Sequence, residues 1–582
     1  MLSVSNNRLS RCNVMKPLFY LPLLLALVLP ISVQGKAPAP KRHNVILIVV
    51  NDIGPGDLGC YGNRMAVTPN IDRLFHESQR AENYHSYPIS APTWASALTG
   101  RIAEKTGVRR NYGGLQYPRK DDLLVSEMLL KARFNTGFFG RWPFGDCYPY
   151  RAQDRGFAAT LTTGAGGIGQ PGDVWGNSSV NPTLRFNGKT VHLKGNMVDI
   201  IFDTAIKFID KNKSAPFFVV IAPNEAGVPY QPDQRIMDAF VKRGAPPRQA
   251  AFYAQTAMID LALGRLLTYL DKADMVDNTV VIFTSTSGGI GGNIAGKYVG
   301  RTGDLTEGGH RTIFWMRLPN LFKEDIGFDS RICYCADIAP TILELANVEP
   351  YDEQRLDGMS LVSGFVTGGE SMPHRKIVVN AHRGEFPEEK QGSVVMHDTW
   401  RLIDGARLYN LEDDPLQEHP REIDKAGVKN VLAMIYKQWY NDVEPFYNPK
   451  LDCTIPLAQP DGNPVELNCY DWRGSNDPPL TQRDIASGKK GNGYWLVEVP
   501  QPGTYEFRLA KRPFNVKQAP LPAGLARVQI GTEEGNVRLS GKETFGSVTL
   551  TLKKGKYKLQ TWILDGVSRS STGAYYVEVI KK

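Results

Sequence analysis

Cysteine is scarce, with seven in 582 residues. Seven scattered thiols exclude a dense disulfide framework. None of the nine histidines stands at metal-ligand spacing from another histidine or a cysteine, so zinc has no support in the sequence. A strong charge of one sign is also lacking: 68 positive against 60 negative residues give +8. Arg8, Arg11 and Lys16 lie in the first 35 residues, which contain no acid, and without that segment the balance falls to +5. So weak a surplus over so long a chain does not argue for nucleic acid. After the run Pro17 to Val33 no stretch is apolar for long enough to cross a bilayer. What is present is an ordinary globular composition, 42% hydrophobic, 10% aromatic and 22% charged, in a chain long enough for more than one domain.

The three early cations precede the apolar run, and Val33 and Gly35 stand three and one positions before Lys36. This is the pattern of a cleaved secretory signal over residues 1–35. The run is short for a spanning helix and carries Pro17, Pro22 and Pro30. The expectation is an exported protein, secreted or periplasmic, that does not span the membrane after cleavage. Cys12 leaves with the signal. Among the six that remain, Cys453 and Cys469 bracket a proline-rich loop and are the best disulfide candidates in an oxidising compartment.

Val45 to Val50, Phe217 to Ala222 and Thr279 to Thr284 are continuous apolar runs, as strands buried on both faces require. Met258, Leu261, Leu263, Leu266, Leu267 and Leu270 recur at helical spacing between two of them. This predicts an α/β domain over 42–350 with a large, mainly parallel sheet, whose ligands sit beyond the carboxyl ends of the strands. A small α+β unit follows at 351–445, with a hairpin near Val394 to Tyr409 and a helix near Val428 to Trp439. Residues 446–482, rich in proline, asparagine and aspartate, read as a linker. Over 483–582 the period changes to two, as at Tyr505, Phe507 and Leu509, which predicts an antiparallel β-sandwich. Tyr494, Trp495 and Trp562 would mark glycan stacking if exposed, but their alternation fits core packing equally well, and core is the favoured reading.

The first strand ends in Asn51-Asp52-Ile53-Gly54-Pro55-Gly56-Asp57-Leu58-Gly59-Cys60-Tyr61-Gly62. Later come Ser90-Ala91-Pro92-Thr93-Trp94 running on to Leu98-Thr99-Gly100-Arg101, then Gly140-Arg141-Trp142, Gly169 to Gly176, Glu307-Gly308-Gly309-His310-Arg311 and Leu408 to Pro415. In combination these segments resemble a type I sulfatase, arylsulfatase-like, of the alkaline-phosphatase-like superfamily. The resemblance implies that fold, and hydrolysis of sulfate esters by a formylglycine made from the first residue of a Cys/Ser-x-Pro-x-Arg motif. It also implies a calcium ion held by an aspartate pair after the first strand and an Asp-Asn or Asp-His pair after a later one. Lysines, histidines and the motif arginine would bind the sulfate and move protons.

Residue by residue, this chain departs from that pattern. The aspartate pair is Asn51-Asp52, and the later pair is Thr286-Ser287, so of three carboxylate ligands only Asp52 is kept. Calcium affinity follows the charge of its ligands, so the expectation is no cofactor, or calcium only if a site survives. The nucleophile position is Ser90, and the motif arginine is Trp94. Arg141 keeps a cation, while Pro143 and Gly227 stand where the proton-transfer histidines belong. The last lysine falls on Thr302, with Arg301 beside it. Ser90, Arg141 and Arg301 are thus the vestigial catalytic set, and Asn51, Asp52, Thr286 and Ser287 the vestigial metal set. The leading reading is a sulfatase-family protein without sulfatase turnover that binds sulfated or anionic glycans, with Arg141, Arg301 and Arg311 as candidate anion contacts. The alternative is an active sulfuric ester hydrolase using modified Ser90. A third reading, direct attack by Ser90, lacks a base to activate it.

Overall fold

The run Val45 to Val50 forms the strand Asn44–Val50, buried along its whole length. Its side chains alternate between two cores: Val45, Leu47 and Val49 face one, and Ile46, Ile48 and Val50 the other. Phe217–Ala222 and Thr279–Ser285 divide their side chains in the same way. A strand covered on both faces needs an apolar residue at every position, which is why these runs are unbroken. The computed structural model describes residues 42–289, 298–318, 331–351, 355–381, 384–386, 388–421, 423–462, 464–475 and 477–582. The proposed signal segment, and Asp352 near the start of the small unit, lie outside these residues.

Nine described strands form the main sheet, in the order Gln79–Arg80, Phe314–Arg317, Thr279–Ser285, Asn44–Val50, Phe217–Ala222, Asn135–Gly140, Ala159–Thr162, Thr183–Phe186 and Lys189–His192. The central five run parallel, and the strands at both edges pair antiparallel. The sheet is therefore mixed with a parallel centre, the alkaline-phosphatase-like arrangement expected. The helix Pro247–Lys272 covers one face through Met258, Leu263, Leu266, Leu267 and Leu270. Leu261, read with them as part of the same stripe, turns outward and is 54% exposed. No helix among the described residues is long and apolar enough to cross a membrane.

Four antiparallel strands, Lys376–Asn380, Ser393–His397, Trp400–Ile403 and Arg407–Asn410, form the small unit. The helix Ala426–Val443 packs on them through Leu432, Ile435 and Tyr436. The C-terminal sandwich closes over Trp495, Val497, Tyr505, Phe507, Val528 and Leu559. Trp495 is fully buried, with its indole donating to the Asn468 carbonyl at 2.9 Å. Trp562 lies under the Arg527 guanidinium and Tyr494 under the Lys558 ammonium, both partly covered.

Two expectations need correction. The stretch 446–482 is more than a linker: Ile455–Pro456 pairs with Tyr494–Val499, and Val465–Asn468 pairs with Tyr576–Lys581. Its buried residues Ile455, Leu457, Val465 and Leu467 are spaced by two, so they enter the sandwich core while the prolines and aspartates fill the turns. Cys453 and Cys469 are not bonded to each other. The Cys453 thiol contacts the Tyr117 carbonyl at 3.3 Å, and that of Cys469 contacts the Pro479 carbonyl at 3.6 Å.

Candidate functional site

Strand register builds the centre of the site. Asn44–Val50 lies parallel to Thr279–Ser285 with Val50 opposite Ser285, so the next two residues of each chain segment meet just beyond the carboxyl ends. The Thr286 hydroxyl donates to Asn51 Oδ1 at 3.1 Å, and the Ser287 hydroxyl to Asp52 Oδ1 at 2.9 Å. Thr302 joins them: its Oγ1 is 2.8 Å from Ser287 Oγ, 3.4 Å from Asp52 Oδ1 and 3.0 Å from the Gly289 carbonyl. Asp52 holds a left-handed backbone, φ 55°, a conformation that aspartate tolerates better than most residues. The five residues Asn51, Asp52, Thr286, Ser287 and Thr302 thus share one closed hydrogen-bond network with a single carboxylate in it. Asn51 Oδ1 and Asp52 Oδ1 each have a neighbouring hydroxyl against them.

Ser90 opens the helix Ser90–Thr99, every residue of which is buried. One turn on, Thr93 donates to the Thr286 carbonyl at 2.9 Å and fastens the helix to the network. Trp94 goes the other way, 3% exposed in the core and 6.0 Å from the Phe138 ring. The position to which the resemblance assigns a guanidinium therefore carries an indole into the fold. No hydrogen bond to the Ser90 hydroxyl is present among the described residues, so no base adjoins it. Gly227 packs against Asn51 so closely that an added Cβ would lie 2.4 Å from its Nδ2. Arg141 follows the strand Asn135–Gly140, and its backbone N–H donates to the Ala222 carbonyl at 2.7 Å. Its Nε is buried without a partner beside Gly167 and Asn224, whose Nδ2 is also unpartnered. Pro143 is buried two residues further on.

Arg301 is exposed, and its backbone N–H donates to Asp304. Arg311 does not remain free for an anion. Its guanidinium donates to the Glu82 carbonyl at 2.9 and 3.1 Å and to Glu307 at 3.2 Å. Of the three arginines, Arg141 alone has a buried guanidinium nitrogen without a hydrogen-bond partner among the described residues.

Two groups of titratable residues adjoin the site. Burial pushes Asp57 up to about 7, with the Asp52 charge adding to the effect; its Oδ2 accepts from Gly54 and its Oδ1 has no partner. Beneath the site His85 and His310 face each other with Nδ1 atoms 2.9 Å apart, both fully buried. Burial lowers both rings, His310 to about 4, so they are neutral at pH 7. Burial alone would raise Glu307 beside them, but the Arg401 and Arg311 guanidiniums outweigh it and hold the carboxyl well below its usual range. Arg401 at 2.6 Å and Arg311 at 3.2 Å take up its two oxygens. Nothing in the sequence pattern pointed to this pair, because His85 and His310 are 225 residues apart and meet only through the strand pairing of Arg311 with His85.

The geometry can be set beside known proteins. A model of the sulfatase family matches residues 43–348, more than half of the chain. The dog (Canis lupus familiaris) N-acetylgalactosamine-6-sulfatase is 25% identical over 379 residues, 59% of this chain and 70% of that protein. Human (Homo sapiens) arylsulfatase G is 24% identical over 509 residues, 75% of this chain and 94% of that protein. Among solved structures, Ps i-CgsB in complex with k-i-k-neocarrahexaose superposes with a TM-score of 0.61 at 23% identity, covering 69% of this chain and 93% of that one. A protein solved with its substrate D-glucosamine-2-N,6-O-disulfate gives 0.58 at 18% identity, covering 70% and 99%. These structures share the fold, and the matched span contains every residue of the network together with Ser90, Trp94, Arg141 and Gly227. The chain belongs to the sulfatase family.

Proposed function

We propose that this is an exported member of the sulfatase family that binds a sulfated or anionic glycan without hydrolysing it. The observation that carries the reading is the closed network around Asp52. The Ser287 hydroxyl donates to one oxygen of that carboxylate, Thr302 stands 3.4 Å from the same oxygen, and a single carboxylate supplies too little charge to hold calcium tightly. The residues present do not fit calcium. Trp94 in the core and Gly227 against Asn51 remove the guanidinium and the imidazole from the same site. Ser90 stays a plain alcohol with no base to activate it. Binding rests on Arg141, whose buried and unmatched Nε favours an anionic oxygen as partner. The two structural neighbours were solved with k-i-k-neocarrahexaose and with D-glucosamine-2-N,6-O-disulfate, which agrees with that class.

The test is an aryl sulfate assay with calcium, after co-expression with a formylglycine-forming maturase, together with a mass measurement on residue 90. The expected result is an unmodified serine, no turnover, no thermal shift with calcium, and retention on a sulfated oligosaccharide that Arg141→Ala weakens. Turnover that disappears in Asp52→Ala would overturn the reading in favour of an active hydrolase using modified Ser90.

A further inference from the structure

The segment Gly169 to Gly176 belongs to none of the chemistry above, yet it is held with unusual care. Gln482 accepts from the Gly176 N–H at 2.8 Å and donates to the carbonyls of Gln170, Asp173 and Val174 at 3.0–3.2 Å. The Tyr576 hydroxyl donates to the Pro171 carbonyl at 3.1 Å. These bonds tie the loop to the C-terminal region and make it one wall of a cavity of about 330 Å³, whose other wall includes Glu466 and Tyr576. A ligand site with such fixed walls loses little entropy on binding.

The lining states what such a ligand must be. Four carboxylates and two guanidiniums face the cavity, and Arg185 is already paired with Asp146. That balance repels an anion, the opposite of the Arg141 site. Trp175 offers a half-buried aromatic surface, meeting Tyr576 edge-on at 6.4 Å and carrying the Arg512 guanidinium 5.6 Å from its ring centroid, so a ligand has at most the remaining part of the ring to stack on. Thr163, 3% exposed, lines the cavity with a hydroxyl that has no hydrogen-bond partner. A buried hydroxyl left unpaired is costly, and a ligand hydroxyl would satisfy it. Glu466 is exposed, and its carboxylate accepts no hydrogen bond among the described residues. An aromatic surface, an unmatched hydroxyl and an unpaired carboxylate together suit a polyhydroxylated ring. The volume is at the small end of ligand pockets, which span about 300–1,000 Å³.

We propose that this cavity binds one unsulfated sugar residue, preferably an amino sugar whose ammonium meets Glu466. The site stands independently of whether the Arg141 cleft binds an anion. The test uses the full chain with galactosamine, galactose and galactose 6-sulfate as probes, read by saturation-transfer NMR and calorimetry. Galactosamine and galactose are expected to bind, galactosamine more tightly, and galactose 6-sulfate more weakly than either. Glu466→Gln should abolish the preference for the amine, and Trp175→Ala should weaken both sugars about tenfold or more. Arg141→Ala should leave these affinities unchanged. Glu466 is exposed, so its variant tests the site even if Trp175→Ala folds poorly. Absence of sugar binding at millimolar concentration, equal binding of the 6-sulfate, or loss of binding only in Arg141→Ala would overturn the proposal.

Discussion

At Asp52 a single oxygen, Oδ1, has the Ser287 and Thr302 hydroxyls around it. Removing the nearer one should show what the network contributes. Ser287→Ala leaves Asp52 with the 3.4 Å contact alone and is expected to cost about 1–2 kcal/mol in urea unfolding. Rebuilding the family's charge should have the opposite signature in calcium. The triple variant Asn51→Asp, Thr286→Asp, Ser287→Asn is expected to be less stable than the wild type without metal, because like charges then crowd Asp52. Calcium at a hundredfold above its Kd should return about 2.7 kcal/mol, seen as a rise in Tm, while leaving the wild type unmoved. An equal rise in the wild type would show that the present residues hold calcium after all. Gly227→His would bring a Cβ to 2.4 Å from Asn51 Nδ2, so the ring could enter only if Asn51 moved.

Among the elements, the helix Ser90–Thr99 presents Ser90 near the site while burying Trp94 against Phe138. Trp94→Ala should therefore behave as a core truncation, costing about 3–5 kcal/mol of stability, and Trp94→Arg should not restore turnover. A loss under 1 kcal/mol in thermal or urea melts would mean that the indole is dispensable. The strand bearing His85 and the short helix Glu307–His310 carry a pH dependence. Both rings are held below their ordinary range by burial, so the unfolded chain binds more protons than the folded one below about pH 6.5. Their contribution is full above that pH and is lost as pH falls toward 4. The groups facing the pair are Glu307, Arg401 and Arg311, and Glu307, also depressed, acts with the same sign. The buried carboxyls Asp57, Glu104, Glu225 and Asp471, raised to about 7 by burial, act with the opposite sign between their ordinary range and 7. A comparison with His310→Leu isolates the pair: the stability advantage of wild type should shrink by about 3 kcal/mol between pH 6.5 and 4. An advantage that does not change with pH would remove the histidine pair as its cause.

For the whole molecule, the contact between the α/β domain and the C-terminal region is not a loose tether. Asp452 joins Arg109 and Arg473 at 2.6 Å each, all three buried. Gln116 donates to Asp471 at 2.6 Å, and Gln482 holds the 169–176 loop as described. Asp452→Ala would leave two buried guanidiniums without their shared partner and is expected to cost about 3–5 kcal/mol. With so many buried bonds crossing the contact, calorimetry of the wild type should show one unfolding transition. Separate transitions for the two regions would contradict that coupling.

Much of this was open to inspection in the residues themselves. Unbroken apolar runs announced strands covered on both faces, and the change to a period of two announced the sandwich, because side-chain direction repeats locally along a chain. Under the sulfatase resemblance, the departures at Asn51, Trp94, Pro143, Gly227, Thr286, Ser287 and Thr302 were equally plain, since an absent carboxylate or imidazole needs no coordinates to be seen. What filled each gap was a different matter. The hydroxyls on Asp52 come from residues 235 and 250 positions away, His310 reaches His85 across 225, and Trp94 finds Phe138 in the core. The free cysteines, the strands within 446–482 and the cavity beside Trp175 also depend on which distant surfaces meet. Local periodicity carries no information about such meetings. They follow from sheet register and the packing of whole faces, and so only the tertiary structure decides them.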